Sequence, residues 1–305
     1  MKSDEYIVFI LSHGRADNVK TYKTLRKAGY TGRVCIVIDD EDEQGERYKE
    51  NFGVENVAVF SKAKVAETFD EVIRGDRRSV VYARNACFEI AERLGYEYFI
   101  ELDDDYMAFY FLFDEELNAA HPRVLIRHGL DAVFGAIFDF NKSVPAASVA
   151  MGQGGDLIGG EQGRYAKKVA LYRKAMNSFF CSTRRPFRFV GRINEDVNAY
   201  TMEAHRGLLF ISTMQAYLIP TMSQHNKGGM TDVYLASGTY VESFFSVICC
   251  PSAVSVRMMS GCRSKDNAKT NGWRMHHCVD WDRCAPKIIS ERYRRTTPSP
   301  QPTAL

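Results

Sequence analysis

Short apolar runs and mixed, helix-patterned stretches alternate through the first third of the chain. Tyr6 to Leu11 reads as a strand. Ala16 to Gly29 reads as a helix with Val19, Tyr22 and Leu25 on one face, ended by Gly29. Arg33 to Ile38 is a strand running into Asp39 and Asp40, and Val54 to Phe60 is another. Arg84 to Leu94 reads as a helix closed by Gly95, followed by the strand Tyr98 to Leu102. This alternation predicts a parallel sheet with helices on both faces. Pro122 then predicts a helix start, with an apolar stripe from Val124 through Ile137 and an end near Phe140. Later elements are a strand near Val144 to Met151, a helix from about Glu195, and a long strand from Leu208 to Ile219. A helix from Thr239 to Cys250 stops at Pro251 before a strand Ala253 to Met259. The proline-bearing tail after Tyr293 reads as disordered.

Length adds one constraint: 305 residues suit one large α/β domain or two intimately packed lobes. A net charge of +2 implies no polyanionic partner from overall balance, so any basic surface must be local. Eight scattered cysteines without a CxxC pair exclude zinc-ribbon spacing and favour a reducing compartment. His276, His277, Cys278 and Cys284 read as residues beside a strand ahead of a metal cluster. The first apolar run is too short for an export signal or a membrane span, so a soluble, cytoplasmic protein is expected.

The chemistry gathers at strand ends. Asp103, Asp104 and Asp105 follow the strand Tyr98 to Leu102. Three adjacent carboxylates raise one another's pKa unless a cation neutralises them. Mg²⁺ or Mn²⁺ takes carboxylate oxygens and shares its other positions with phosphates. The carboxyl edge of an open α/β sheet is where ligands usually bind. Ser12, His13, Gly14 and Arg15, in the turn after strand one, suit contact with a nucleotide or a plain turn. Asp39 and Asp40 suit a uracil N–H or a ribose hydroxyl. Arg84 and Asn85, at a helix start, suit phosphates or sugar, or else mere capping. Glu195 and Asp196 open a helix, where the dipole favours ionised carboxylates that serve as a cap or as a base. His225 and Lys227, in a glycine-bearing loop, suit a metal ligand and a phosphate clamp.

In their order along the chain these residues resemble the GT-A fold of nucleotide-sugar glycosyltransferases. In that likeness Asp103 and Asp105 match the metal-binding DxD, Gly154-Gly155 the glycine-rich acceptor loop, Glu195-Asp196 the acidic helix start and His225 the metal-binding histidine. The run Asp103 to Tyr106, the Gly191 to Asp196 segment, the Gln224 to Met230 loop and the closing Ala285 to Tyr293 segment are similar to the TET-associated glycosyltransferases. Those enzymes are encoded by bacteriophages and related to the base J glucosyltransferase. The resemblance implies an α/β GT-A fold: a Rossmann-like nucleotide-sugar-binding half with a mostly parallel sheet over 1–115, and an acceptor-binding α+β half over 116–293. It further implies transfer of a sugar, glucose or N-acetylglucosamine, from a UDP-sugar to a 5-hydroxymethylpyrimidine in double-stranded DNA, with hydroxymethylcytosine the first expectation. A divalent metal would be held by Asp103, Asp105 and His225; Asp196, or secondarily Glu195, would be the base; and a phage-encoded enzyme would work in the host cytoplasm.

One local feature favours a nucleic-acid acceptor independently. From Arg164 to Asn194 no residue is acidic, while Arg164, Lys167, Arg184, Arg188 and Arg192 accumulate among aromatics. Most of those phenylalanines read as core. Three rival readings use the same residues: a glycosyltransferase acting on a glycan, lipid-linked or protein acceptor, a nucleotidyltransferase, and a DNA-binding protein that has lost catalysis. The second would want a better phosphate loop than Ser12 to Arg15.

Overall fold

The computed structural model describes the chain except residues 73–76, 114–118, 154–168, 171–174, 177, 222–240, 261–272, 285–287 and 289–305. Its parallel half comprises β1 (Tyr6–Leu11), β2 (Arg33–Asp39), β3 (Val57–Phe60) and β4 (Tyr98–Asp103). Then come β5 (Tyr106–Phe113), β6 (Ala119–Leu125), β7 (Ala146–Gly152), β8 (Val169–Ala170), β9 (Ser178–Ser182) and β10 (Leu209–Pro220). All ten form one sheet in the order β3-β2-β1-β4-β9-β7-β10-β5-β6, with β8 beside β10. β3, β2, β1 and β4 are parallel neighbours. β9 runs antiparallel between β4 and β7, and β5 antiparallel between β10 and β6. Because β7 and β10 are parallel again, most strands point one way. This is the expected α/β architecture, a Rossmann-like half continued by a mixed one. A separate two-stranded ribbon joins β11 (Val254–Ser260) to β12 (Trp273–Val279).

Helices cover both faces. α4 (Val81–Arg93) packs on one, while α1 (Lys20–Lys27) and α5 (Leu130–Ser143) cover the other. Every residue of β1 is buried for that reason, which explains its unbroken apolar run. Side chains alternate between the faces: Ile7, Phe9, Val37 and Phe99 pack with α4, whereas Val8, Ile10, Ile100 and Leu102 pack with α1 and α5. The same alternation puts Glu101 and Asp103 on the α4 face. The remaining helices are α2 (Gly45–Phe52), α3 (Lys62–Ala66), α6 (Glu195–His205), α7 (241–249) and α8 (Trp281–Cys284). Among the described residues no helix is long and apolar enough to cross a membrane. The described cysteines are all free.

Two expectations fail. Pro122 opens no helix: it lies in β6, the edge strand of the sheet, and α5 begins only after Gly129, whose φ is 90°. An edge strand tolerates a proline because one side of its backbone needs no partner. α4 starts at Val81, so Arg84 and Asn85 stand inside the helix. The tail after Tyr293, expected to be disordered, lies outside the described residues.

Candidate active site

The carboxyl ends of β1, β2 and β4 meet the amino end of α6 at one rim. There the three aspartates have different environments. Asp104 is 4 % exposed and turned inward, accepting hydrogen bonds from Ser12 Oγ at 2.7 Å and Arg15 Nη1 at 2.9 Å. Burial pushes its carboxyl above the usual range, against the pull of Arg15 and Ser12. Ser12 and Arg15 thus serve the middle aspartate, and Tyr48 ties them together: its hydroxyl lies 2.8 Å from Ser12 Oγ and accepts the Arg15 amide N–H. Asp103 and Asp105 flank it, both half-buried. Burial and the charges of Asp103 and Asp104 push Asp105 up to about 7. Thr21 pins the turn, donating from Oγ1 to the Asp103 carbonyl and accepting the Tyr106 N–H.

Behind the turn lies a buried charge cluster. Arg84 is 1 % exposed. Its Nη2 donates to Asp103 Oδ1 at 2.9 Å and its Nε to Glu195 Oε1 at 3.0 Å, while Nη1 stands 3.7 Å from Glu101 Oε2. Phe179 and Phe189 flank the guanidinium at 5.1 and 5.7 Å. Glu101 is fully buried and neither carboxylate oxygen has a hydrogen bond, so burial drives its pKa far up. Burial also raises Glu195, opposed by Arg84 and reinforced by Asp196. Asp196, less buried, accepts the Val197 N–H at 2.7 Å.

At the end of β2, Asp39 is buried between His13 Nδ1 at 2.8 Å and Lys62 Nζ at 3.0 Å. Burial would raise it, but the His13 hydrogen bond and the Lys62 charge hold it below the usual value. The same hydrogen bond raises His13, whose side chain is 46 % exposed. Asp40 is exposed and accepts the Lys62 amide N–H. Of this end, His13 and Asp40 face solvent and Asp39 does not.

The rim therefore brings together Ser12, His13, Arg15, Asp39, Arg84, Asp103, Asp104, Asp105 and Glu195, with Asp196 beside Glu195. Asn85 is placed elsewhere: its side-chain amide exchanges two hydrogen bonds with the Phe189 backbone, at 2.9 and 3.0 Å, and is sealed from the rim. Arg185, in the basic stretch, donates from one guanidinium nitrogen to the carbonyls of Asn141, Val144 and Ala146. That makes it a structural strut, with Arg184 and Arg188 left exposed. His225, Lys227, Gly154-Gly155 and Arg164 to Lys168 lie outside the described residues, among which no group of three or more metal-ligating side chains occurs. Glu101, Tyr48 and Lys62 were missed by sequence reasoning. Only Glu101 carried a signal, an acid two residues before Asp103 inside an apolar strand.

The model of the TET-associated glycosyltransferase family matches residues 6–229. No curated protein matches the chain. Among solved structures it is similar to S. aureus TarS, at 14% identity and a TM-score of 0.42 over 72% of this chain and 37% of that one. It is also similar to glucosyl-3-phosphoglycerate synthase from Mycobacterium tuberculosis, solved with Mn²⁺, UDP and phosphoglyceric acid. There the identity is 8% and the TM-score 0.43, over 91% of this chain and 87% of that one. The chain spans well under half the length of the TarS chain it matches. With the family match running from β1 past the end of β10, this chain belongs to the TET-associated glycosyltransferase family.

Proposed function

We propose that the chain transfers a sugar from a UDP-sugar to the hydroxyl of a 5-hydroxymethylpyrimidine in DNA, with a divalent metal, in a cytoplasmic setting. The observation that carries the reading is the Arg84 bridge. One buried guanidinium joins Asp103, at the end of β4, to Glu195, at the start of α6. The acids suited to a metal and those suited to catalysis thereby share one rim.

The residues fit a divalent cation. Asp104 is committed to Ser12 and Arg15, which leaves Asp103 and Asp105 as the outer pair, and burial with the charges of its two neighbours raises Asp105 against the pull of Arg15 and Lys20. Asp103 and Asp105, joined by His225, would hold Mn²⁺ or Mg²⁺. When bound, such an ion would supply positive charge to offset that on the diphosphate leaving group. His13 and Asp40 are the groups at the β2 end open to the uracil or ribose, and Lys227 would clamp phosphate. Glu195, more buried than Asp196, pairs with Arg84 through Oε1, as Asp103 does through Oδ1, and orients the start of α6. Asp196, the less buried of the two acids, would take the acceptor's proton in an inverting transfer. A hydroxymethyl on pyrimidine C5 lies in the major groove, and reaching a recessed carboxylate requires the base to rotate out.

The test is mass spectrometry of nucleosides from hydroxymethylated and unmodified DNA incubated with the protein and a panel of UDP-sugars. A hexose adduct confined to the hydroxymethylated nucleoside is the expected result. Transfer that ignores hydroxymethylation, or that proceeds only to a glycan or protein, overturns the acceptor. Asp105→Ala should abolish transfer while DNA binding persists, and full activity in excess chelator removes the metal from the scheme.

A further inference from the structure

A second concentration of positive charge comes from a part of the sequence other than Arg164 to Arg192. α1 presents Lys20, Lys23 and Lys27 at spacings of three and four, on one helical face. They form one wall of an open groove of about 550 Å³, with β5, the end of β6 and the segment after it as the other. Arg127 and His128 are exposed on that far wall. The floor is apolar: Phe109 and Ile126 are buried, while Met107 and Leu125 stay 55 % and 38 % exposed. Among the described residues lining it, none is acidic.

The groove begins at the acidic turn. Lys20 Nζ lies 3.4 Å from Thr221 Oγ1, and Thr221 donates from both its amide and its hydroxyl to the Asp105 carbonyl. From there α1 runs back along the sheet, away from the rim. Lys20 and Lys27 are separated by about 10 Å along the helix axis. Three cations over that length can pair with successive phosphates of one strand. Exposed methionine and leucine between cationic walls suit the deoxyribose edges of such a strand.

We propose that this groove is the track for one phosphodiester strand of the acceptor DNA, guiding it to the aspartate turn. The proposal rests on the reading of DNA as acceptor, and it puts the main phosphate contacts on α1 and Arg127.

The test combines Lys23→Ala, Lys27→Ala and Arg127→Ala, all exposed, and leaves Lys20 in place beside the turn. Duplex binding by the 305-residue chain is measured by fluorescence anisotropy between about 50 and 200 mM salt. The expected result is an affinity loss of at least about tenfold at the low-salt end, with the slope of log affinity on log salt reduced by about 2.7, three phosphate contacts' worth. UDP affinity and the thermal midpoint should be unchanged, and Arg184→Ala with Arg188→Ala should cost less. An unaltered salt slope in the groove variant, or a larger loss in the Arg184 and Arg188 variant, overturns the track. Equal competition by polyglutamate or by anionic phosphatidylserine vesicles overturns DNA as its occupant. If wild-type protein binds duplex and loses it with the groove but glycosylates no hydroxymethylated base, the track stands and the acceptor reading falls. If transfer occurs and the groove variant is normal, the reverse holds, and no duplex binding by wild type overturns the track.

Discussion

At the residue scale, Arg84 outweighs any single aspartate, because one guanidinium bridges two carboxylates, Asp103 and Glu195, in a dry interior with Glu101 close by. A charge buried with its partners contributes little net stability, but removing one partner strands the others. Arg84→Met should therefore destabilise the protein by about 3–5 kcal/mol in denaturant unfolding, with Arg84→Lys intermediate. An ammonium lacks the planar fork that reaches Asp103 and Glu195 together, so Arg84→Lys should stay largely inactive even where folded. A midpoint unchanged in Arg84→Met would show that the cluster is not paired as described. The His13–Asp39 pair makes a pH prediction. His13 is raised above 6.5 in the folded state, so its contribution is complete below pH 6.5 and lost as pH rises through the raised value. Asp39 is lowered below 3.8, so its part is present above that pH and lost only as pH falls through the depressed value. Stability from the pair should thus be greatest between those limits, and His13→Asn should flatten the decline on the alkaline side. With the imidazole nearly half exposed, the effect is below about 1 kcal/mol. Arg84, Asp103 and Glu195 were each legible in the sequence as candidates. Their connection was not, because three segments far apart in the chain meet only when β4, α4 and α6 pack.

At the element scale, the segment Gly191 to Asp196 shows why a short motif is built from particular residues. Gly191 has φ 73°, and a β-carbon there would lie 2.5 Å from the Phe245 ring and 2.9 Å from Asn198 Nδ2. Asn194 holds φ 53° just before α6, and its Nδ2 donates to the Glu242 carbonyl and reaches Ser246 Oγ at 3.2 Å. Together they fix the angle at which α6 leaves α7 and offers Glu195 to Arg84. Asn194→Gly should lose only the α7 bonds, about 1 kcal/mol each, whereas Asn194→Ala adds about 1–2 kcal/mol of left-handed backbone strain. Equal unfolding midpoints for the two would contradict the strained backbone. The strand and helix alternation up to Asp103 was readable since each element carries its own apolar period. The β5–β6 hairpin was not. Val124, Ile126 and Leu130 fit a helical stripe, and only the pairing of β6 with β5, itself paired with β10 about 100 residues later, makes the part up to Leu125 a strand. α2 was missed for a related reason: half of Gly45 to Phe52 is charged and the helix buries only Tyr48.

At the scale of the whole molecule, the sheet makes the two halves one body at the site. β9 pairs with β4 on one side and β7 on the other, so the strand bearing Asp103 is braced by the half that contributes Glu195. A ligand gripping the rim should then stabilise the entire fold and not one lobe of it. For a single site at about a hundred times its dissociation constant, that stabilisation is about 2.7 kcal/mol. At roughly 2 °C per kcal/mol for a chain of this size, UDP with Mn²⁺ should raise the unfolding midpoint by about 5 °C. The size and sharing of that shift discriminate between mechanisms. If Asp105 helps to hold the cation, Asp105→Asn should lose most of the metal-dependent part and keep whatever UDP achieves alone. Removing one of three crowded carboxylates also relieves repulsion, so the ligand-free variant should unfold no earlier than wild type. A variant that is simply misfolded would start lower and still respond to both ligands in proportion. Differential scanning fluorimetry with UDP, with Mn²⁺, with both, and with both plus chelator separates these cases. An identical UDP shift in chelator would mean that the aspartate turn grips the diphosphate without a metal.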